Sequence, residues 1–179
     1  MICPACANTH FEPTRIEGGL PAERCDSCGG VLVELARYRA WRKSMPEMAL
    51  AVAAWEPSVT DGAVRLCPKT GRLMTRLKVD SQHPLRLDYS AAAQAIWLDA
   101  GEWDTLVSLG VHGQLDAIAS DRWQASVQKA ASRERIEQAV QARFGDDFAE
   151  LARIRAWLDT RPNRREMLAF LGAPKDQSD

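Results

Sequence analysis

The chain has 179 residues, of which 26% are charged and 46% are hydrophobic on a broad count, and its formal net charge is −1. This composition is ordinary for a soluble chain of one or two domains. It disfavours a general nucleic-acid binder, which usually carries a positive excess. No apolar run approaches the ~20 residues that a membrane span needs. Cysteines at positions 3 and 6 do not fit a signal peptide. We therefore expect a cytoplasmic protein in a reducing environment, where paired cysteines hold a metal more often than they form a disulfide.

Four of the five cysteines form two closely spaced pairs near the start of the chain. Each pair has C-x2-C spacing, and Gly29 and Gly30 after the second pair permit the positive φ that such a turn often needs. The segment between the pairs contains Gly18-Gly19 and can fold back as a hairpin. Zinc prefers four tetrahedral ligands, and thiolate is among its best. The spacing therefore predicts one structural Zn²⁺ in a zinc ribbon, with free or disulfide-bonded cysteines as the alternative. The predicted ligands are Cys3, Cys6, Cys25 and Cys28.

A shell of four thiolates leaves no coordination position for water or substrate, which catalytic zinc requires. We therefore expect the metal to be a scaffold. The sequence also has no P-loop, no G-x-S-x-G, no H-E-x-x-H and no dinucleotide fingerprint. The histidines are scattered, and we expect His83 and His112 to lie at the surface rather than to act as general bases. We expect no enzymatic activity and assign no catalytic residue.

A second stretch, which starts at Cys67, repeats the first pattern without most of its ligands. Thr70 stands where the second cysteine of the first pair stands, and Ser90 and Ala93 fall where the later pair falls. Because three of the four ligands are missing, packing must hold this unit together. Alternating apolar residues predict strands for a metal-free hairpin. We expect Cys67 to be structural, with a regulatory thiol as the alternative. We also expect Cys25→Ser to unfold the first ribbon locally while the second unit survives.

The last third of the chain is helical by its apolar spacing. Apolar residues recur at helical intervals from Leu115 to Val127 and from Ile136 to Phe144, and Gly145 ends that pattern. A packed helical hairpin fits this region, and so does an arm that docks a partner or forms oligomers.

The predicted fold class is α+β, with a small zinc ribbon, a degenerate ribbon-like β-hairpin unit and a helical C-terminal region. Pro57 and Gly62 mark a linker between the first two parts. The predicted bounds are 1–44 for the ribbon with its following helix, 61–110 for the metal-free unit with its following helix, 112–172 for the helical region and 173–179 for a disordered tail.

These motifs resemble the bacterial transcription-factor-IIB-like zinc-ribbon family. That family has a C-P-x-C knuckle, a hairpin, C-x-x-C-G-G and a strand that reads W-L-D-x-G-E. The first unit has both cysteine motifs, and its strand 31–34 departs from the signature. The second unit has Trp97-Leu98-Asp99-Ala100-Gly101-Glu102 intact. The resemblance covers about the first 110 residues and implies a zinc ribbon in a protein that contacts other macromolecules.

We interpret the chain as a non-catalytic macromolecular-interaction adaptor or regulator with a protein partner. Nucleic-acid binding related to transcription and a redox- or zinc-responsive switch are the alternatives. No small-molecule substrate is evident. A basic and aromatic stretch after the ribbon is the candidate partner surface, and it can also be read as a phosphate-contacting stretch or a solvated helix face. Its residues are Arg37, Arg39, Trp41, Arg42 and Lys43.

Overall fold

The structure is a computed structural model that describes residues 1–44 and 63–173. The described residues fall into two compact units, one within residues 1–131 and the other from residue 132 onward. The predicted linker at residues 57–62 and the predicted tail beyond residue 173 lie outside the described residues. The bounds predicted for the ribbon, the metal-free unit and the helical region stay predictions. The observed mixture of an antiparallel sheet with separate helices confirms the α+β class.

The N-terminal part of the fold consists of a β-hairpin, a third strand and a helix. Strands β1 (Phe11–Ile16) and β2 (Leu20–Cys25) are joined by a 3-10 turn at Glu17–Gly19. Both glycines of this turn have positive φ. A reversal this tight requires that conformation, and glycine adopts it without steric cost. Strand β3 (Val31–Glu34) leads directly into helix α1 (Leu35–Ser44).

The following part has the same order of elements. Strands β4 (Thr75–Lys78) and β5 (Arg86–Ser90) form a hairpin, and β6 (Ala95–Leu98) precedes helix α2 (Glu102–Ser108). In the turn between β4 and β5 the Asp80 carboxylate accepts hydrogen bonds from two backbone N–H groups. An aspartate at the start of a turn commonly stabilises it in this way.

Within the described residues the strands form one antiparallel sheet in the order β1-β2-β3-β6-β5-β4. The two parts meet at the centre, where β3 pairs with β6 and Leu32 stands opposite Trp97. The hairpins therefore share a continuous backbone hydrogen-bond ladder.

The two faces of this sheet carry different cores because successive side chains of a strand point to opposite faces. Val33 and Ile96 point to the face that packs against the helices, in a cluster that also contains Tyr38 and Leu106. Leu32 and Trp97 point to the other face, where the cysteines of both parts lie; this cluster also contains Cys3, Cys25, Cys67, Met74 and Ala95.

Helix α1 and the short helix α3 (Leu115–Ile118) are joined by buried hydrogen bonds. The Tyr38 hydroxyl donates to the carbonyl oxygen of His112 at 2.9 Å and accepts from the Leu115 N–H at 3.2 Å. The expectation that His112 lies at the surface is wrong. This histidine is buried against the Trp103 ring, with 5.9 Å between the ring centres.

A buried ion network lies where β5, β6 and α2 meet. The Arg65 guanidinium is 3.2 Å from the Asp88 carboxylate and 2.6 Å from that of Asp99. The nearby Glu102 carboxyl accepts a hydrogen bond from the Asp99 N–H at 2.8 Å. Burial raises the pKa of Glu102 to about 8, and its acidic neighbours add to this effect. Glu102 therefore keeps its proton to a higher pH than an ordinary glutamate does.

The second unit is made of helices. Its described elements are the C-terminal part of α4 (Asp121–Phe144), α5 (Phe148–Asp159) and α6 (Arg164–Gly172), with a 3-10 turn at Gly145–Asp147 between the first two. Among its described residues, Leu158 is the one buried side chain. Among the helices of the described ranges, none has the length and apolarity to cross a membrane.

Candidate metal centre

The first cysteine knuckle is a tight turn closed by its own backbone. The Cys3 N–H donates to the Asn8 carbonyl oxygen at 2.8 Å, and the Ala7 N–H donates to the Cys3 carbonyl oxygen at 3.0 Å. The turn requires a positive φ of 59° at Ala7. The Ala5 N–H points at the Cys3 sulfur from 3.4 Å, so the backbone supplies a donor to the thiolate.

The second knuckle has the same closure. The Cys25 N–H donates to the Gly30 carbonyl oxygen at 2.9 Å, and the Gly29 N–H donates to the Cys25 carbonyl oxygen at 3.0 Å. Gly29 has a φ of 74°, which confirms the use of a glycine at this position. The two knuckles approach each other because β1 and β2 pair so that Phe11 stands opposite Cys25.

The four sulfur atoms lie within 4.8 Å of one another. Cys3 and Cys28 are 3.5 Å apart and Cys6 and Cys25 are 3.6 Å apart, measured between sulfurs. A Zn–S bond of about 2.3 Å in a tetrahedron separates neighbouring sulfurs by about 3.8 Å. The geometry and the all-thiol donor set therefore fit one structural Zn²⁺. This cluster is the one group of metal-ligating side chains found among residues 1–44 and 63–173.

The thiols of this cluster have unequal acidities without the metal. Burial raises the pKa of Cys3 to about 12, and it also raises that of Cys28. Burial acts in the same direction on Cys25, but hydrogen bonds from the backbone of Cys28 and Ser27 outweigh it and bring the pKa of Cys25 to about 6. A zinc ion must therefore displace protons from some of the thiols, and its affinity falls as the pH falls.

Two neighbours of the site were missed by the sequence analysis. The Asn8 amide donates to the Cys25 sulfur at 3.8 Å and also to the Asp26 carboxylate, so it links the knuckles from outside the ligand shell. Trp97 packs beside the cysteines with its ring edge-on to Phe11. Asn8 lies two residues after Cys6, and this short spacing could have predicted that its side chain lies near the ligands. Trp97 belongs to the W-L-D-x-G-E signature of the second stretch, but its position beside the cysteines depends on a strand pairing that is distant in sequence.

The knuckle at Cys67 reproduces the backbone turn without the metal shell. The Cys67 N–H donates to Arg72 and the Gly71 N–H donates to Cys67, both at 2.8 Å and both to carbonyl oxygens. Burial raises the pKa of the Cys67 thiol, but hydrogen bonds from the Ser90 and Thr70 hydroxyls help to bring it below its usual value. The hydroxyls thus occupy the positions that the alignment of the two stretches assigned to ligands.

The predicted partner stretch on α1 is largely engaged within the chain. Trp41 is buried and its indole N–H donates to the Gly18 carbonyl oxygen at 2.6 Å. Arg37 lies 3.0 Å from the Glu34 carboxylate. Arg39 pairs with Asp116 at 2.8 Å, Arg42 donates to the Gly113 carbonyl oxygen at 3.4 Å, and Lys43 is exposed. The role of this stretch in partner binding stays a prediction.

Residues 2–44 match the model of a family described as transcription factor zinc-finger. This match confirms the zinc-ribbon resemblance for the first knuckle pair with its hairpin and helix α1. The stretch that starts at Cys67 lies outside the matched residues, and its kinship to a ribbon stays a prediction. No curated protein and no solved structure matches the chain significantly.

Proposed function

We propose that this chain is a non-catalytic adaptor that binds an apolar segment of a protein partner in the groove between its two knuckles. The carrying observation is an open groove of about 430 Å³ in the first unit. Ile2, Cys3 and Pro4 line one side, and Leu66, Cys67 and Pro68 line the other. The closed shell of four thiolates supports a scaffold role for the metal rather than a catalytic one.

The exposure of the groove's apolar side chains supports protein binding. Ile2 is 63% exposed, Leu66 is 54% exposed and Val64 is 75% exposed. Contiguous exposed apolar surface is uncommon on soluble proteins and marks binding sites. Because Cys3 belongs to both the metal cluster and the groove wall, the zinc ion fixes one side of the binding surface.

The charge of the groove favours a protein segment over nucleic acid. None of its lining residues is a lysine or an arginine, and these are the residues that hold a phosphate backbone. Three arginines of α1 that could have contacted phosphates already bind Glu34, Asp116 and the Gly113 backbone. The net charge of −1 gives no long-range attraction to an anionic polymer.

A matched pair of substitutions tests the groove. Leu66→Asp places a charge in it. Leu73→Asp places the same charge at a leucine of the same unit that is 65% exposed and does not line the groove. A photo-crosslinking amino acid at position 64 would be used in cells to trap the bound protein. We expect one protein partner, lost in Leu66→Asp and retained in Leu73→Asp. Equal trapping by both variants, or trapping of nucleic acid instead, would contradict the proposal.

A redox- or zinc-responsive switch is the second candidate, and the exposure of one cysteine favours it. Cys6 is exposed while Cys3 and Cys25 are buried, so a peroxide can reach one thiolate of the shell. Oxidation of two thiolates to a disulfide reduces one hydrogen peroxide to water and releases the ion. Zinc release at mild peroxide, reversed by a thiol reductant and zinc, would support this candidate. Retention of zinc under those conditions would remove it.

A further inference from the structure

The second unit has an open apolar groove between two of its helices. The groove has a volume of about 620 Å³; Ile136 and Phe144 of α4 and Leu151 of α5 line it. Ile136 is 64% exposed and Leu151 is 41% exposed. Amphipathic helices normally bury the side chains of their apolar stripe against a neighbour. The described part of this unit therefore leaves most of its apolar stripe without a core.

The rim of this groove carries charges in an ordered pattern. Arg133 is followed one turn later by Glu137 on α4, and Arg155 is followed one turn later by Asp159 on α5. A three-residue turn joins the two helices, and both line the same groove from Phe144 and Phe148 beside the turn to Arg133 and Asp159 at its far end. The two helices therefore form an antiparallel hairpin. Arg133 then lies level with Asp159 along the hairpin, and Glu137 lies level with Arg155. At each level one helix carries the charge opposite to that of the other, although the Asp159 carboxylate also pairs with Arg164 of α6 at 2.7 Å.

We propose that the groove is covered by the same hairpin of a second copy of this chain. A two-fold axis parallel to the helices places α4 of each copy against α5 of the other, as in a four-helix bundle. Glu137 of each copy then meets Arg155 of the other, and the apolar side chains meet in the centre. An isologous interface requires a surface that is complementary to itself, and this rim has that property. The pairing involves a different face and a different partner from the adaptor function proposed above.

The size of the face indicates a dimer that depends on concentration. A helix of 12 residues such as α5 is about 18 Å long, and two helices side by side are about 20 Å wide. Pairing of such faces buries less surface than the ~800 Å² per partner of a standard stable interface. We therefore expect monomers at low concentration and dimers at high concentration.

Light scattering of the full chain over a concentration series tests the pairing. We expect the mass to rise from 19.8 kDa toward twice that value. Ile136→Asp should abolish the rise, and Leu168→Asp should retain it because Leu168 is 42% exposed on α6 and does not line the groove. A wild-type chain that stays monomeric throughout would overturn the proposal and leave the face to a different protein. Dimers that persist in Ile136→Asp would also overturn it.

Exchange of the rim charges provides a second test that does not depend on Ile136→Asp. Glu137→Arg sets two arginines against each other across the proposed axis, and Arg155→Glu sets two glutamates against each other. Each variant should dimerise about tenfold more weakly, since two rim pairs change from attraction to repulsion. A mixture of the two variants should regain dimers, because each charge then meets its opposite on the other chain. A mixture that dimerises no more strongly than either variant alone would refute the proposed two-fold axis.

Discussion

Gly30→Ala is the substitution whose effect follows most directly from the packing around the metal centre. An added Cβ at this position lies 2.3 Å from Cζ2 and 2.9 Å from Cη2 of Trp97. The indole ring has little freedom to retreat, because it is fully buried and its N–H donates to the Asp99 carboxylate at 2.8 Å. Gly30 has no positive φ, so the alanine meets no backbone strain and the effect is steric.

We expect Gly30→Ala to lower the free energy of unfolding by about 2 kcal/mol. Overpacking of a close-packed core typically costs about 1–3 kcal/mol, and the smaller backbone entropy of alanine in the unfolded chain returns about 0.5 kcal/mol. For a unit of this size the change corresponds to a melting temperature lower by roughly 5–10 °C. Denaturant unfolding of the zinc-saturated chain, followed by far-ultraviolet circular dichroism, measures it.

Trp97→Phe supplies the control, because phenylalanine lacks the ring atoms that the new Cβ would meet. Trp97→Phe should itself be destabilising, since it leaves a cavity and removes the hydrogen bond from the indole N–H to Asp99. In that background Gly30→Ala should cost less than about 0.5 kcal/mol, which gives a coupling energy of about 1.5 kcal/mol in the double-mutant cycle. An equal cost of Gly30→Ala in both backgrounds would refute the steric reasoning.

Three further measurements follow from the fold. Elemental analysis should find one zinc ion per chain, which is kept in Cys67→Ser and lost in Cys25→Ser. Circular dichroism should show that Cys25→Ser disrupts the whole sheet together rather than the first hairpin alone. The folded pKa of about 8 for Glu102 lies above its unfolded value of ~4.3. The free energy of unfolding should therefore fall by a few kcal/mol as the pH rises from about 4.3 through 8, and denaturant titrations should show no such fall in Glu102→Gln. Tyr38→Phe should lower the free energy of unfolding by about 1–2 kcal/mol in the same assay, because it removes the hydroxyl that joins α1 to α3.

The metal site could be predicted from the sequence because its determinants are local. Two C-x2-C turns specify the ligand positions within a few residues of each cysteine, and Gly29 supplies the positive φ of the second turn. The expectation of a positive φ at Gly30 is wrong, since a glycine stands there because the Trp97 ring leaves no room for a Cβ. The hairpin between the knuckles is equally local, since its turn uses the Gly18-Gly19 pair. The alternating apolar residues of the second stretch likewise predicted strands, and β5 at Arg86–Ser90 is one of them.

The pairing of the first stretch with the second through β3 and β6 could not be predicted, because it depends on contacts between residues that are distant in sequence. Nothing near β3 indicates that β6 lies beside it. The expectation that Cys25→Ser unfolds the first ribbon locally assumed two independent hairpins, and the shared ladder and core give a different expectation. His112 shows the same difficulty. Its position in a loop bounded by glycines predicted an exposed side chain, but Trp103 and α1, which is distant in sequence, pack against it.

The central strand pair has a consequence for synthesis of the chain on the ribosome. Residues 31–34 emerge early, but their partners at residues 95–98 emerge only several seconds later at ordinary translation rates. During that interval one side of β3 presents unpaired N–H and C=O groups, which is the feature of nascent sheets that recruits other chains. Chaperone protection in this interval, or slow decoding before residue 95, would therefore affect the yield of folded protein without any change in the finished structure.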